Sequence, residues 1–288
     1  MQHKGIILAG GTGTRLHPST ISVSKQLMPI YDKPMIYYPL SVLMQAGIRE
    51  VLIITTPHDN PAFVHLLGDG KKWGMTIKYA IQDSPDGLAQ ALIIGEEFLD
   101  GHPSCLILGD NLFFGLDMSP EFINSMSKEQ GATIFGYEVK NANAYGVVGF
   151  DSNNNVISLE EKPEHPDSNY AVTGLYFYDN KASEYARTVT PSARGELEIT
   201  TLNQIYLDKK QLTVKLLDRG TTWLDTGTHR SLLYASQFVQ VIEQRQGKRI
   251  CCPEMAAYEN KWITREELHA LAEPLKKSGY GEYLLKAR

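Results

Sequence analysis

Cysteine is scarce in this chain of 288 residues: Cys105, Cys251 and Cys252 are the three. Neighbouring cysteines rarely pair, and no metal-ligand spacing is present, so the sequence predicts three reduced, structural thiols. Histidine forms no ligand pattern either. His17, His58, His65, His102, His165, His229 and His269 are scattered, and His3 is terminal. Long apolar runs are missing. The longest, Met35 to Ile48, is too short to span a bilayer and contains Pro39 and Gln45, so no membrane role is expected. Positive charge is not in excess. The net charge of −5 gives no basic footprint for nucleic acid. The chain enters its first strand at Lys4, which predicts no signal peptide and a cytoplasmic protein. Apolar residues are 42% and charged residues 21% of the chain, an ordinary globular composition. The length allows one or two domains and a sizeable core. No internal repeat or low-complexity linker divides it.

What is present concentrates in Lys4 to Pro29. Gly5 to Leu8 is a short apolar run, the mark of a buried strand. It opens directly into Gly10, Gly11 and Gly13, interleaved with Thr12 and Thr14 and followed by Arg15 and Lys25. Glycines permit positive φ and let backbone N–H groups approach a ligand with no Cβ in the way. Two cations nearby supply the charge that a triphosphate needs. An acidic chain that binds polyanions must gather its cations in one cleft. Two familiar phosphate loops are excluded. Leu16 stands where the third glycine of the dinucleotide fingerprint belongs, and Gly13-Thr14-Arg15 is not the Gly-Lys-Ser/Thr of a Walker loop.

Strand and helix patterns alternate through the first half. Strands are expected at Glu50 to Thr55, Thr76 to Ile81, Ser104 to Leu108 and Ala132 to Val139. Helices are expected at Pro34 to Ala46, Asn60 to Leu67, Leu88 to Leu99 and Pro120 to Glu129. This order predicts an α/β fold: a Rossmann-like, mostly parallel sheet flanked by helices, with ligands at the C-terminal ends of its strands. The second half reads as a hairpin, Val147 to Phe150 with Val156 to Leu159, then a strand over Tyr170 to Tyr178. Long helices follow over Glu196 to Asp208 and Thr228 to Gln246. A small helical C-terminal tail carries a capping box at Thr264 and Glu267, and Gly279 and Gly281 are expected to break its last turn. One domain is expected over 1–250, with a nucleotide-binding half (1–139) and a sugar-phosphate-binding half (140–250) sharing one sheet. The extension covers 251–288.

The run L-A-G-G-T-G-T-R-L followed by S-K-Q-L-M-P-I resembles the signature of the sugar-nucleotide pyrophosphorylases. These are nucleotidyltransferases that join a sugar 1-phosphate to a nucleoside triphosphate. The resemblance continues over nearly the whole chain and implies the nucleotide-diphospho-sugar transferase fold. It implies dTTP and glucose 1-phosphate as substrates, Mg²⁺ as cofactor and dTDP-glucose as product, feeding dTDP-L-rhamnose synthesis. A homotetramer with feedback inhibition by dTDP-L-rhamnose is also implied. No motif places that second site.

Site residues follow by matching position. Leu8, Gly10, Gly11, Thr12, Gly13 and Gln26 fall on the nucleotide side, with Gln82, Pro85 and Gly87 at the base. Read alone, Gln82 to Gly87 is equally a Pro-Asp-Gly turn or a base pocket with a side-chain amide. Asp110 ends a buried strand, where a carboxylate is expensive without a partner; Mg²⁺ is the usual one in phosphoryl chemistry. Asp225 by itself could be a helix N-cap, but in W-L-D-T-G-T it matches the family's second metal position. Glu161-Lys162-Pro163 by itself is a surface charge pair. The resemblance instead puts Glu161 on sugar hydroxyls and Lys162 on the sugar phosphate. It adds Asn111, Tyr145, Gly146 and Val172 to the sugar pocket and Arg194 as a second phosphate clamp.

The implied chemistry needs no general base, because a sugar phosphate is mostly dianionic at neutral pH, its second pKa being about 6. Its oxygen attacks the α-phosphorus in line while Arg15, Lys25 and Lys162 position and neutralise charge. Two other readings stay open, a uridylyl- or cytidylyltransferase on the same sugar and a non-catalytic sugar-nucleotide-binding regulatory module; a third, a dehydrogenase, is weakened by the missing third glycine.

Overall fold

The computed structural model describes residues 2–116, 130–153 and 155–287. Thirteen strands occur among them: β1 (Lys4–Ala9), β2 (Pro29–Ile30), β3 (Lys33–Pro34), β4 (Glu50–Thr55), β5 (Thr76–Ile81), β6 (Ser104–Leu108), β7 (Asn111–Phe114), β8 (Ala132–Glu138), β9 (Gly146–Phe150), β10 (Val156–Glu161), β11 (Tyr170–Tyr178), β12 (Leu212–Leu216) and β13 (Thr222–Asp225). Nine form one sheet in the order β10-β9-β11-β6-β1-β4-β5, with β8 joining β11 to β12. The two halves therefore share a sheet, as the sequence predicts.

β1 lies parallel between β4 and β6, and β5 is parallel to β4. Ile6, Ile7, Val51, Ile53, Ile54, Leu106 and Ile107 are fully buried. Both faces of these strands are covered, which is why they read as continuous apolar runs instead of alternating ones. The second half enters antiparallel: β11 pairs with β6 through Leu175–Ile107 and Tyr176–Leu106. The sheet is thus mixed, parallel on the nucleotide side and largely antiparallel beyond β6.

The first helices are α1 (Tyr37–Gln45), α2 (Asn60–Leu67), α3 (Gln90–Ile94) and α4 (Glu96–Leu99). The single helix expected over Leu88 to Leu99 is two, divided at Gly95. A Cβ there would lie 2.7 Å from Ile6 Cδ1, so the chain needs glycine where it crosses the sheet. The helix expected over 120–129 lies outside the described residues. Later come α5 (Ala182–Ala186), α6 (Ile199–Asp208), α7 (His229–Gln246), α8 (Pro253–Glu259), α9 (Arg265–Ala272) and α10 (Gly279–Leu285).

Thr264 and Glu267 cap α9 reciprocally. Gly279 and Gly281 do not break the last turn, contrary to the sequence reading; both lie inside α10, started by the Ser278 side chain. Gly281 is there because a Cβ would run into the Leu275 carbonyl oxygen. The tail is not loose. Ala257, Leu268, Ala272 and Leu284 are buried in the same core as Leu40 and Leu43 of α1. All three cysteines are free and buried, and burial raises the Cys105 thiol pKa well above its ordinary value. No helix among the described residues is long and apolar enough to cross a membrane.

Candidate active site

Three parallel strands of the sheet end on one side of it. β1 delivers the glycine loop, β5 delivers Gln82, and β6 delivers Asp110. Gly11 and Gly13 take φ of 95° and 61°, which a side chain would resist. Thr20 Oγ1 donates to the Gly13 carbonyl at 2.8 Å and closes the loop on itself. Lys25 and Gln26 follow on a single 3₁₀ turn, and both are buried. Gln26 accepts from Ser24 Oγ at 2.9 Å and donates to the Gly10 carbonyl at 3.4 Å, tying this turn to the loop.

A recess of about 240 Å³ is lined by Gly10 to Leu16 with Lys25, Gln26, Asp110 and Gly227. It opens beside a larger one of about 330 Å³, which shares Gly10, Arg15, Gln26 and Asp110 with it. That cavity also holds Leu8, Asn111, Tyr145, Gly146, Glu161, Lys162, Val172, Arg194 and Asp225. Sequence-predicted residues separated by more than two hundred positions thus face one space. Gln82 and Pro85 line a third recess of about 430 Å³, on the other side of Gly11, Thr12 and Lys25.

Lys25 Nζ is ion-paired to Asp110 Oδ2, and Asn111 Nδ2 donates to Asp110 Oδ1 at 2.9 Å. Burial works against the Asp110 charge, but the Lys25 ammonium and these hydrogen bonds outweigh it and hold the carboxyl below its ordinary range. Asp225 goes the other way. Its burial and then the neighbouring Asp110 charge raise its proton affinity, against the pull of Lys25 and Arg15. Two carboxylates of which one is electrostatically unfavourable form a site that a divalent cation would relieve. No cluster of three or more acidic, His or Cys ligands occurs among the described residues. Mg²⁺ needs no more than two carboxylates, since it keeps several waters and takes phosphate oxygens. The donor set fits it. Asp225 is not a helix cap: Thr228 caps α7, accepting from Ser231 N–H, and Asp225 ends β13.

On the sugar side, β10 ends at Glu161 and Lys162 takes φ of 47°. A lysine in the left-handed region is strained by about 1 kcal/mol or more. The Lys162 N–H donates to the Tyr145 carbonyl at 3.0 Å and secures it. Lys162 Nζ lies 3.3 Å from Glu161, and Arg194 lies 3.1 Å from Glu161 and 2.8 Å from Glu198. Thr200 Oγ1 donates to the other Glu161 oxygen at 2.5 Å. Tyr145 packs edge-on against Trp223, ring centres 5.2 Å apart.

The sequence reading missed Glu198, Thr200 and Trp223. Glu198 stands four positions after Arg194, but residues 194–198 precede α6, which begins at Ile199 and not at Glu196 as expected, so no helical spacing marks the pair. Thr200 and Trp223 carry no signal either. At the base loop, Gln82 Nε2 donates to Gln90 Oε1 at 2.6 Å and to the Gly87 carbonyl at 3.4 Å. Gly87 has a packing reason of its own. Its φ is 114°, and a Cβ would run into the Leu197 backbone.

Residues 4–241 match the model of the Nucleotidyl transferase family. A glucose-1-phosphate thymidylyltransferase of Xanthomonas campestris pv. campestris (strain B100) is 59% identical over 283 residues, 98% of this chain and 96% of that protein. One of Neisseria gonorrhoeae is 56% identical over 98% of both chains. A solved Bacillus anthracis structure described as a glucose-1-phosphate thymidylyltransferase, in complex with a sucrose, superposes with a TM-score of 0.76. It is 40% identical and covers 82% of this chain and 94% of its own. A UDP-glucose pyrophosphorylase complexed with UDP-glucose shares the fold at a TM-score of 0.75 and 24% identity, over 84% of this chain and all of its own. With a family model spanning most of its length and relatives this similar end to end, the chain belongs to the nucleotidyl transferase family.

Proposed function

We propose that this nucleotidyltransferase joins dTTP and α-D-glucose 1-phosphate, giving dTDP-glucose and pyrophosphate. The observation that carries the reading is the shared cavity. The glycine loop, Arg15, Lys25 and Asp110 line the smaller recess, and Arg15, Asp110, Asp225, Lys162 and Arg194 line the cavity beside it. Two polyanions that repel each other need cations at both ends and a neutralised centre.

The loop N–H groups and Arg15 bind the β and γ phosphates. Lys162 and Arg194 hold the sugar phosphate with an oxygen aimed along the line of the departing pyrophosphate. Glu161, fixed by Thr200 and Arg194, accepts from sugar hydroxyls. Gln82 reads the base edge. Asp110 and Asp225 would hold Mg²⁺, which when bound neutralises phosphate charge. Lys25, paired with Asp110, keeps that carboxylate ionised and close to the reacting phosphate.

The test is pyrophosphate release from purified protein with glucose 1-phosphate and each nucleotide in turn. Turnover should be best with dTTP. UTP, which at the base lacks one methyl and on the sugar carries a 2′-hydroxyl, should be slower, the methyl accounting for no more than roughly 10–200-fold, and purine nucleotides should fail. Efficient use of ATP or GTP would overturn the base assignment, and no turnover with any nucleotide would favour a regulatory module.

A further inference from the structure

We propose that Thr226 is a positioning residue: buried behind the two carboxylates, it clamps the backbone of Asp110 to the strand that carries Asp225 and so sets the spacing between them. The inference rests on the function proposed above. Thr226 is fully buried and lines none of the three recesses described above, so its side chain acts on the chain around it and not on a ligand. Its Oγ1 donates to the Asp110 carbonyl at 2.8 Å, and its backbone N–H reaches the same oxygen at 3.3 Å. Met35 Sδ also lies 3.3 Å from the hydroxyl. A hydroxyl has one hydrogen, and a thioether is a weak acceptor, so the nearer carbonyl takes it.

Asp110 needs such a clamp because of where it lies. β6 ends at Leu108 and β7 begins at Asn111. Gly109 is still tied to the main sheet, its N–H donating to the Leu8 carbonyl at 2.9 Å. Asn111 already belongs to a separate two-stranded ribbon, β7 with β13, where it stands opposite Asp225. Trp223 Nε1 donates to Asn111 Oδ1 at 2.6 Å within that ribbon. Asp110 thus sits at the joint between two sheets, in the ladder of neither. Thr226 follows Asp225, and its two bonds to the Asp110 carbonyl carry the grip of the ribbon one position further. Gly227 comes next. A Cβ there would lie 3.0 Å from an Arg15 guanidinium nitrogen and 3.1 Å from Asp225 Oδ1, so glycine leaves room for both. Mg²⁺ demands near-ideal octahedral geometry, and a joint that turned freely at Asp110 would spoil it. Supporting partners outside the ligand set typically govern metal affinity or activity by about 10–100-fold.

The experiment compares wild type, Thr226→Val, Thr226→Ala and Thr226→Ser, all as the full chain. Val keeps the branched shape and removes the hydroxyl. Ala removes it without setting a methyl against the Asp110 carbonyl, and decides the matter if Thr226→Val fails to fold. Ser restores the hydroxyl. Three quantities are read: Mn²⁺ affinity without nucleotide, by electron paramagnetic resonance; the Kd of glucose 1-phosphate, by calorimetry; and the Mg²⁺ concentration for half-maximal turnover. Thr226→Val and Thr226→Ala should weaken Mn²⁺ binding by about 10-fold or more and raise the half-maximal Mg²⁺ concentration in parallel, while the glucose 1-phosphate Kd stays within about three-fold. Thr226→Ser should bring both metal readings back toward wild type.

Unchanged Mn²⁺ affinity in folded Thr226→Val or Thr226→Ala, whatever the melting temperature, would reduce Thr226 to a core hydroxyl and overturn the proposal. An equal loss in Thr226→Ser would show that the methyl matters and not the hydroxyl, and would overturn it too. If wild type itself binds no Mn²⁺, the two carboxylates hold no metal and the proposal falls with them. If wild type binds Mn²⁺ but turns over no nucleotide, the function reading has failed, and the Mn²⁺ affinities still decide the role of Thr226.

Discussion

Lys25 and Asp110 form an ion pair across the mouth of the glycine loop, between a buried lysine and a carboxylate just past the end of β6. In the function proposed above, Lys25 then has two tasks at one place: it would stand beside the reacting phosphate, and it holds the Asp110 carboxyl low.

Replacing Lys25 by Met separates these tasks. The lost transition-state charge should lower kcat by about 10²-fold or more. A second effect concerns pH. In the wild type Lys25 outweighs burial and holds the Asp110 carboxyl low. Without it, burial prevails and the carboxyl titrates higher. Activity that needs ionised Asp110 should then fall off at a higher pH on the acid side, so the acid limb of kcat moves up. A profile of reduced height with an unmoved acid limb would show that Asp110 owes its charge to something other than Lys25.

Gly87 offers a stability test that the base contact alone does not explain. Gly87→Ala drives a methyl into the Leu197 backbone at a φ of 114°. Strain and overpacking together should destabilise by roughly 2–5 kcal/mol. Thermal unfolding checks it. A melting temperature unchanged from wild type, with only dTTP affinity reduced, would mean that the loop yields freely and that glycine serves the nucleotide alone.

His3 tests the N-terminal edge of the core. It is 8% exposed and packs edge-on against Phe177, ring centres 5.4 Å apart. Desolvation lowers its pKa from 6.5 to about 4. The folded ring is therefore neutral where the unfolded ring is charged, between about pH 4 and 6.5. The unfolded state binds more protons there, so stability rises with pH through this window. The contribution is fully present above about 6.5, lost progressively on acidification and constant below about 4. Its size is about 3 kcal/mol. His3→Phe should flatten the stability curve between pH 4 and 6.5, measured by denaturant unfolding. An identical slope in the variant would show that other groups control it.

Much of this was legible in the chain. The strands Glu50–Thr55, Thr76–Ile81, Ser104–Leu108 and Tyr170–Tyr178 stand where the sequence puts them, because buried strands announce themselves as short apolar runs between turn signals. The ribbon β7–β13 was not foreseen. Its strands are four residues each and pair across more than a hundred positions, so no local pattern marks them. The same ribbon carries the Trp223–Asn111 bond, which is why that contact was invisible. Gly281 failed for a different reason: glycine usually breaks a helix, but here a neighbouring carbonyl leaves no room for anything larger. At the site, the residues of long motifs were readable one by one. What the sequence withheld was their pairing, such as Lys25 with Asp110, and the support given to Arg194 by Glu198.

Asp110 and Asp225 give the test that joins the two halves. They face one cavity from separate parts of the chain and repel each other electrostatically. If they share one Mg²⁺, either alone is incomplete, and removing one should remove most of the metal's effect. Asp110→Asn and Asp225→Asn together should then cost little more in log kcat than the worse single change. Both single variants should keep glucose 1-phosphate affinity, since Lys162 and Arg194 hold its phosphate. Fold stability should not fall in Asp225→Asn. Asn keeps the shape, relieves a carboxylate whose proton affinity is already raised, and leaves Thr228 to cap the following helix. The measurement is turnover against Mg²⁺ concentration for wild type, both singles and the double. Additive losses, with the Mg²⁺ dependence of the Asp225 variant unchanged, would show two carboxylates acting apart and no shared metal between them.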